Sequence, residues 1–425
     1  MNNITINSNS NDIKEMEKLF PRAPLKIIAM EGCKELGQKV NDYIVNFRQS
    51  SYREELKSPM YATYLQDNYL VDAHCPRFGS GEAKGVLNES VRGKDLFIMT
   101  DVCNYSLTYS VNGYVNHMSP DDHYQDLKRL ISAANGKEHR LNIIMPFLYE
   151  SRQHKRTKRE SLDCAIMLQE LVNMGVTNIL TFDAHDPRVA NAIPLSGFDN
   201  VTPSYQMLKA MVRSMPDVVF DKDHIVMISP DEGAMGRCMY YSETLGVDIG
   251  MFYKRRDYSR VVNGKNPILE HRYLGDSLEG KDAIIVDDMI SSGGSLLEVA
   301  KHLKEDYHAR RVCCFATFGL FTDGFRLFDE AYANGLIDHI FTTNLTYHDP
   351  DIYEKEWHTE VNMCKYVSYL IDTLNHDTTI SELLKPDKRI ANLLAKHRAD
   401  LEARGTLNKQ LQIPFEGDRN QESND

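Results

Sequence analysis

The chain has little that would suit it to a nucleic acid, a membrane or an oxidising compartment. Its 49 Lys and Arg are outnumbered by 61 Asp and Glu, giving a formal net charge of −12. A general nucleic-acid binder needs the opposite balance, because a phosphate backbone is neutralised by a basic surface. There is no apolar run of about 18 residues, the length that marks a membrane-crossing helix. The opening Met1-Asn2-Asn3-Ile4-Thr5 lacks the basic-then-apolar order of a signal peptide. The eight cysteines, at 33, 75, 103, 164, 238, 313, 314 and 364, form no Cys-x-x-Cys pair, so neither a zinc site nor a disulfide framework is indicated. The expectation is a cytoplasmic protein with no nucleic acid and no membrane among its partners. At 425 residues, 42% hydrophobic and 26% charged, the chain is long enough for two ordinary cores.

Against that background one stretch stands apart. Ala283-Ile284-Ile285-Val286 is a short unbroken apolar run, the pattern of a strand covered on both faces in a parallel sheet. Asp287 and Asp288 stand at its end, followed by the small-residue loop Ser291-Ser292-Gly293-Gly294-Ser295; Leu296, Ala300 and Leu303 then keep helical spacing. A helix N-terminus presents unpaired N–H groups and partial positive charge to an anion. Gly293 and Gly294 let the backbone come close, Ser292 and Ser295 add hydroxyls, and Ser295 is placed to cap the helix. A phosphate fits this loop, and the two carboxylates can accept hydrogen bonds from the paired hydroxyls of a sugar. The plainer alternative is an ordinary βα turn beside a solvated acidic pair; the adjacency of the acids to the loop favours a sugar phosphate.

Other segments share this strand-then-polar-loop plan. Asn142–Phe147 reads as a strand, and five positive side chains fill the eight positions from Arg152 to Arg159. Such a run is either a solvated face or, placed at a strand end of an α/β sheet, a seat for a triphosphate. Val176–Phe182 ends in Asp183-Ala184-His185, where the acid can take magnesium and the imidazole a phosphate oxygen. Ile225–Ile228 leads to Ser229-Pro230-Asp231, and Val247–Phe252 to Lys254-Arg255-Arg256, three cations that repel one another unless an anion neutralises them. Helices are expected over Glu35–Phe47 and Ser161–Met174. The stretch from Arg48 to Asp72 has no clear period and reads as an insertion. Phe78 is open to two readings, a core ring or a ring offered to a ligand.

Taken in order, these segments resemble the ribose-phosphate pyrophosphokinases, a family of tandem type I phosphoribosyltransferase-like domains. The acidic pair and loop resemble the family's ribose-phosphate loop, with Ser291 where an acid usually opens it. Leu148–Arg159 contains a stretch that resembles a Pro-Tyr-x-Arg-Gln-Asp-Lys segment, with one added residue and His154 in place of Asp. Arg77–Glu82 resembles a hairpin that lends an aromatic ring to the adenine pocket of a neighbouring subunit, with Ser80 where Asn or Asp is common. Phe198-Asp199-Asn200 resembles Val-Asp-Asn, Ser229–Ala234 the pyrophosphate loop, and Lys254–Arg256 a mobile Lys-Arg-Arg segment; Phe318 stands where His is usual. The resemblance implies an α/β fold of two Rossmann-type domains, each a mainly parallel sheet flanked by helices. Residues 23–200 form the ATP side, with an insertion at about 48–72, and 201–385 the ribose 5-phosphate side, between a tail at 1–22 and an extension at 386–425. It further implies ATP contacts from Phe78, Glu82, Arg152, Gln153 and His185. Ribose 5-phosphate falls to Asp287, Asp288, Ser291, Ser292, Gly293, Gly294 and Ser295, and Mg2+ to Asp183, His185, Asp199 and Asp231. Lys254 and Arg256 steady the transferred group. The implied activity moves the diphosphoryl group of ATP to O1 of ribose 5-phosphate in a homo-oligomer whose subunits share active sites. A transferase that consumes the diphosphate product and a non-catalytic regulatory relative are the alternatives.

Overall fold

The computed structural model describes residues 20–51, 64–256 and 268–405, with backbone alone at 254–256 and 268–271. The first half alternates β1 (Leu25–Ala29), α1 (Lys34–Ser51), β2 (Asp95–Met99), α2 (Pro120–Ala134), β3 (Arg140–Ile144), α3 (Asp163–Asn173), β4 (Asn178–Phe182) and β5 (Gly197–Val201). The strands form one parallel sheet in the order β1-β2-β3-β4-β5. Their continuous apolar runs follow from burial on both faces, as in β2, where every residue is buried. Local signals set the helix ends. At α2, Ser119 and Asp122 form a reciprocal capping box around Pro120, and Asn135 closes the helix in the left-handed conformation.

The second half runs α4 (Ser204–Ser214), β6 (Ile225–Ser229), α5 (Met235–Leu245), β7 (Asp248–Arg256), β8 (Ile268–Leu274), β9 (Asp282–Ile290), α6 (Gly294–Glu305), β10 (Arg311–Gly319), α7 (Arg326–Ala333), β11 (His339–Thr343) and β12 (His358–Val361); α8 (Cys364–Asn375) and α9 (Asp387–Ala403) follow. Its sheet has the order β8-β7-β6-β9-β10-β11-β12 and is parallel except for the β7–β8 hairpin. From β6 the chain moves outward one way, then crosses to β9 and moves outward the other. The reversal between β6 and β9 is a topological switch point, where open α/β sheets leave a crevice beyond the strand ends. The structure thus has the expected architecture of mainly parallel sheets flanked by helices.

The two sheets share one core. A single apolar cluster joins Ile98, Ile143 and Phe182 of the first half to Met227, Val286 and Phe315 of the second, while a separate cluster including Ile228, Ile285 and Trp357 backs the second sheet. Phe318, standing where the family usually has His, is buried and meets Phe147 of the first half edge-on at 5.1 Å. Helix α8 returns to the first half and packs on α1.

That return corrects part of the insertion expected at 48–72. Arg48 belongs to the last turn of α1 and is 2% exposed. Its guanidinium donates to Asp372 at 2.6 Å and to Asn375 at 2.8 Å, and covers the Tyr69 ring at 5.0 Å. Tyr69 and Val71 exchange backbone hydrogen bonds with Ile27 of β1, so this segment extends the sheet's edge. A buried arginine reads as polar in sequence, which hides the helical period that it completes. Among the described residues, no helix is long and apolar enough to cross a membrane.

Candidate active site

The first half sends its strand ends toward the switch point of the second. β4 ends at Phe182, and Asp183 takes φ +42, a left-handed conformation that Asp tolerates better than most residues. There its carboxylate reaches across the halves: one oxygen accepts from Arg237 Nε at 2.6 Å, the other from Thr317 Oγ1 at 2.7 Å. Arg237, on α5, also donates to the Ala184 carbonyl at 3.0 Å and lies 3.7 Å from Asp288. His185 Nδ1 lies 2.8 Å from the same Asp288 oxygen. Asp183, His185, Arg237 and Thr317 line a cavity of about 370 Å³ between the halves, with Asn200, Ser204, Asp287 and Phe315 among its walls.

Electrostatics separates the two acids of the pair. Asp287 is held well above the usual carboxylate range by burial and then by the charge of Asp288. For Asp288 burial pushes upward, but the His185 hydrogen bond and the Arg237 charge outweigh it and hold the group below its ordinary value. His185 is raised above 6.5 chiefly by its hydrogen bond to Asp288, against burial and the Arg237 and Arg152 charges. A raised imidazole stabilises the fold fully below its unfolded pKa and loses that contribution as pH rises through the folded value. His185→Gln should therefore flatten the fall in stability above pH 6.5, read as melting temperatures at about pH 6 and about pH 8.5. An unchanged wild-type slope in the variant would remove His185 as its source.

The loop after the acidic pair is built largely as expected, with two differences. β9 continues through both aspartates to Ile290, paired with β10, so the acids lie within the strand rather than beyond it. Ser295 does not cap α6; Gly293 occupies the cap position at φ +83, and among the described residues no side chain caps the helix. Its first-turn N–H groups are left for an anion, with Ser291 and Ser292 half-buried and Gly294 and Ser295 exposed beside them. A Cβ at Gly293 would run into the Phe328 ring. Gly293→Ala should cost at least ~1–3 kcal/mol of stability through strain; a wild-type melting curve would contradict this role for the glycine.

The remaining expected residues fall in several places. Arg152 reaches the second half, its guanidinium 2.7 Å from Met289 Sδ beside the acidic pair; thioether sulfur is a weak acceptor, and among the described residues no carboxylate pairs with this cation. Gln153 donates to the carbonyls of Lys155 and Ser161, holding the basic run as a loop. His154, which replaces the family's Asp, lies 5.3 Å from the His185 ring and 3.5 Å from Asp186. Phe78 is 52% exposed, which excludes the core reading, at the tip of a turn closed by Phe78 and Glu82 backbone bonds. Neither Phe78 nor Glu82 lines the central cavity.

The four metal candidates do not come together: among the described residues, no group of three or more His, Cys, Asp or Glu is arranged to hold a metal ion. Both Asp183 oxygens are taken by Arg237 and Thr317. Asp199 is one residue from Asn200 on β5, so strand alternation turns it the other way; it is Asn200 that lines the cavity and accepts from the Ala184 N–H at 2.9 Å. Asp231 uses Oδ1 to accept from Gly233 and Ala234 N–H groups, bracing the loop after β6. The side chains of Lys254 and Arg256 lie outside the described residues. The sequence reading gave Arg237 and Thr317 no role; the only signal for Arg237 was its place on the helix after the Ser229-Pro230-Asp231 loop.

Two family models match in succession: the N-terminal domain of ribose phosphate pyrophosphokinase over residues 25–175, and the phosphoribosyl transferase domain over residues 199–320. The ribose-phosphate pyrophosphokinase of Vibrio parahaemolyticus is 27% identical over 333 residues, covering 77% of this chain and 96% of the relative. That of Mycoplasma genitalium is 29% identical over 273 residues, covering 64% and 74%. The crystal structure of phosphoribosylpyrophosphate synthetase from Mycobacterium smegmatis has a TM-score of 0.63 to this chain at 19% identity, over 83% of this chain and 99% of that one, a likeness of fold. A phosphoribosyltransferase-type sheet with its acidic pair and glycine loop at the switch point, preceded by a second parallel sheet, defines a tandem phosphoribosyltransferase-like protein. Within that class, the chain belongs to the ribose-phosphate pyrophosphokinase family.

Proposed function

We propose that the protein is a ribose-phosphate diphosphokinase, transferring the β,γ-diphosphoryl group of ATP to O1 of ribose 5-phosphate and releasing AMP. One observation carries the reading. At the switch point Asp288 of the second half's acidic pair touches His185 of the first half at 2.8 Å, while Arg152 arrives beside Met289 with no carboxylate paired to it among the described residues. A single phosphoribosyltransferase domain has no need of a second lobe that brings cations to its sugar site.

The chain's residues then divide the work. The uncapped N-terminus of α6 and the Ser291–Ser295 hydroxyls receive the 5-phosphate, and Asp287 and Asp288 face the ribose hydroxyls. Asp287, held toward its neutral form, can donate as well as accept; Asp288, held ionised, can only accept. Arg152 and His185 hold the triphosphate, and the hydrogen bond to Asp288 raises the His185 pKa, which favours its charged form. Phe78, exposed and outside the central cavity, is placed to stack on the adenine of a neighbouring subunit's nucleotide in a homo-oligomer.

Phosphoryl transfer asks mainly for alignment and charge neutralisation. Magnesium suits a site with few free carboxylates, since it keeps most of its waters and reaches a protein through one or two acids and the substrate's phosphates. Among the described residues Asp231 keeps Oδ2 free of hydrogen bonds and is the acid we assign to it; bound there, the ion would draw off charge from the β- and γ-phosphate oxygens.

Incubating the protein with ATP, ribose 5-phosphate and Mg2+ tests this reading. AMP should form only when the sugar phosphate is present. A transferase that consumes the diphosphate product would form none from these substrates, and a regulatory relative would bind nucleotide without turnover.

A further inference from the structure

The back of α4 forms one wall of a second groove, of about 470 Å³, closed by β12, α8 and the start of α9. It is strongly basic in a chain of net charge −12. Lys209 and Arg213 come from α4, Lys365 from α8 and Arg389 from α9. Among the described residues no carboxylate lies within ion-pair distance of any of the four; Arg389 donates only to the Glu382 carbonyl, at 3.1 Å. The groove's one acid, Glu360, is turned to Tyr353 at 2.7 Å and to His348 at 3.9 Å. Instead of acids, three of the cations rest on rings: Lys209 and Arg389 on Tyr205 at 5.9 and 5.5 Å, and Lys365 on Tyr369 at 5.6 Å.

Four cations on three elements, Lys209 and Arg389 half-buried and Arg213 and Lys365 exposed around one hollow, repel one another, and an aromatic face offsets only part of that cost. Burial, and then the Arg213 and Lys365 charges, depress the Lys209 amine, as expected of a cation gathered without a counter-ion. An isolated phosphate would satisfy part of the set; an anion bearing several phosphates would bridge α4, α8 and α9 at once. We infer that this groove is a second binding site, separate from the cavity at the switch point, for a small polyphosphate-bearing anion. Its position gives the extension at 386–405 a role, because Arg389 lies beyond both matched family domains. It also joins the site to the central cavity, since Ser204 and Met207 on the other side of α4 line that cavity. The inference stands on charge and geometry and does not depend on the proposed reaction.

Tripolyphosphate titrated into the full chain by calorimetry, without divalent cations, is the test. Two classes of site are expected. Lys209→Gln combined with Lys365→Gln should weaken one class roughly tenfold or more, since charge-assisted hydrogen bonds are lost, while Arg152→Ala weakens the other. Arg389→Gln, on a separate helix, should weaken the same class as the lysine pair, and equal melting temperatures would show that the variants fold. Isotherms for both groove variants that superimpose on wild type would overturn the assignment. So would a groove that loses binding of a poly-glutamate peptide but not of tripolyphosphate, which would assign it to an acidic protein segment instead.

Discussion

Lys254→Ala is expected to lower kcat by roughly 10³-fold, the scale of a cation that neutralises a transferring phosphoryl group, while ribose 5-phosphate binds nearly as before. The backbone supports this. Ser229, the last residue of β6, pairs with Met251, yet β7 continues to Arg256. At ~3.3 Å per residue the rest of β7 overhangs the carboxyl edge of the sheet by ~16 Å, on the side where Asp231 and the acidic pair lie. β8 pairs with it in antiparallel fashion, Lys254 opposite His271, with a bulge between Arg255 and Arg256 that increases the local twist. A hairpin that runs past the end of β6 is where Lys254 and Arg256 could be carried over a ligand. Steady-state kinetics alongside direct binding of ribose 5-phosphate decides the point. Equal losses in turnover and in sugar-phosphate affinity would mean that Lys254 helps to bind the sugar rather than to neutralise the group in flight.

Arg237→Ala should be the most damaging change to stability. Its guanidinium lies between Asp183 and Asp288, all three largely buried, and removing one partner of a buried ion pair leaves an uncompensated charge at a cost of about 3–5 kcal/mol. Asp183 is already pushed up by burial, an effect Arg237 only partly offsets, so the variant should take up a proton there. Adding Asp183→Asn should recover part of the loss, because the amide carries no charge. Urea unfolding of the single and double variants measures both effects. A loss under about 1 kcal/mol for Arg237→Ala, or none recovered in the double variant, would show that the contact does not hold the halves together.

Much of this site was legible because it is local. The β9 apolar run, the adjacent acids and the glycine loop lie within fourteen consecutive residues, and each signals through its neighbours' period or size. The Arg152 and His185 segments could likewise be placed after strand ends from short patterns, whereas the strand expected to end at Phe252 runs on through Lys254 to Arg256 because β8 pairs with it there. What could not be read is long-range or depends on a single dihedral. Asp183 looks like a free acid until its positive φ turns it onto Arg237 and Thr317, more than fifty residues away. Asp199 and Asn200 differ by one position on a strand, and pairing decides which faces the cavity. Arg48 breaks the apparent period of α1 because its partners lie on α8, more than three hundred residues downstream.

The most direct test of the central claim follows the phosphorus atoms. Phosphorus NMR of the protein with ATP, ribose 5-phosphate and Mg2+ should show the β- and γ-phosphorus leaving ATP together and reappearing as a coupled diphosphate ester on C1 of the sugar, in step with AMP. Formation of ADP with a single phosphoryl group on the sugar, or an unchanged ribose 5-phosphate signal beside intact ATP, would contradict a site in which the two halves deliver a diphosphoryl group to the sugar.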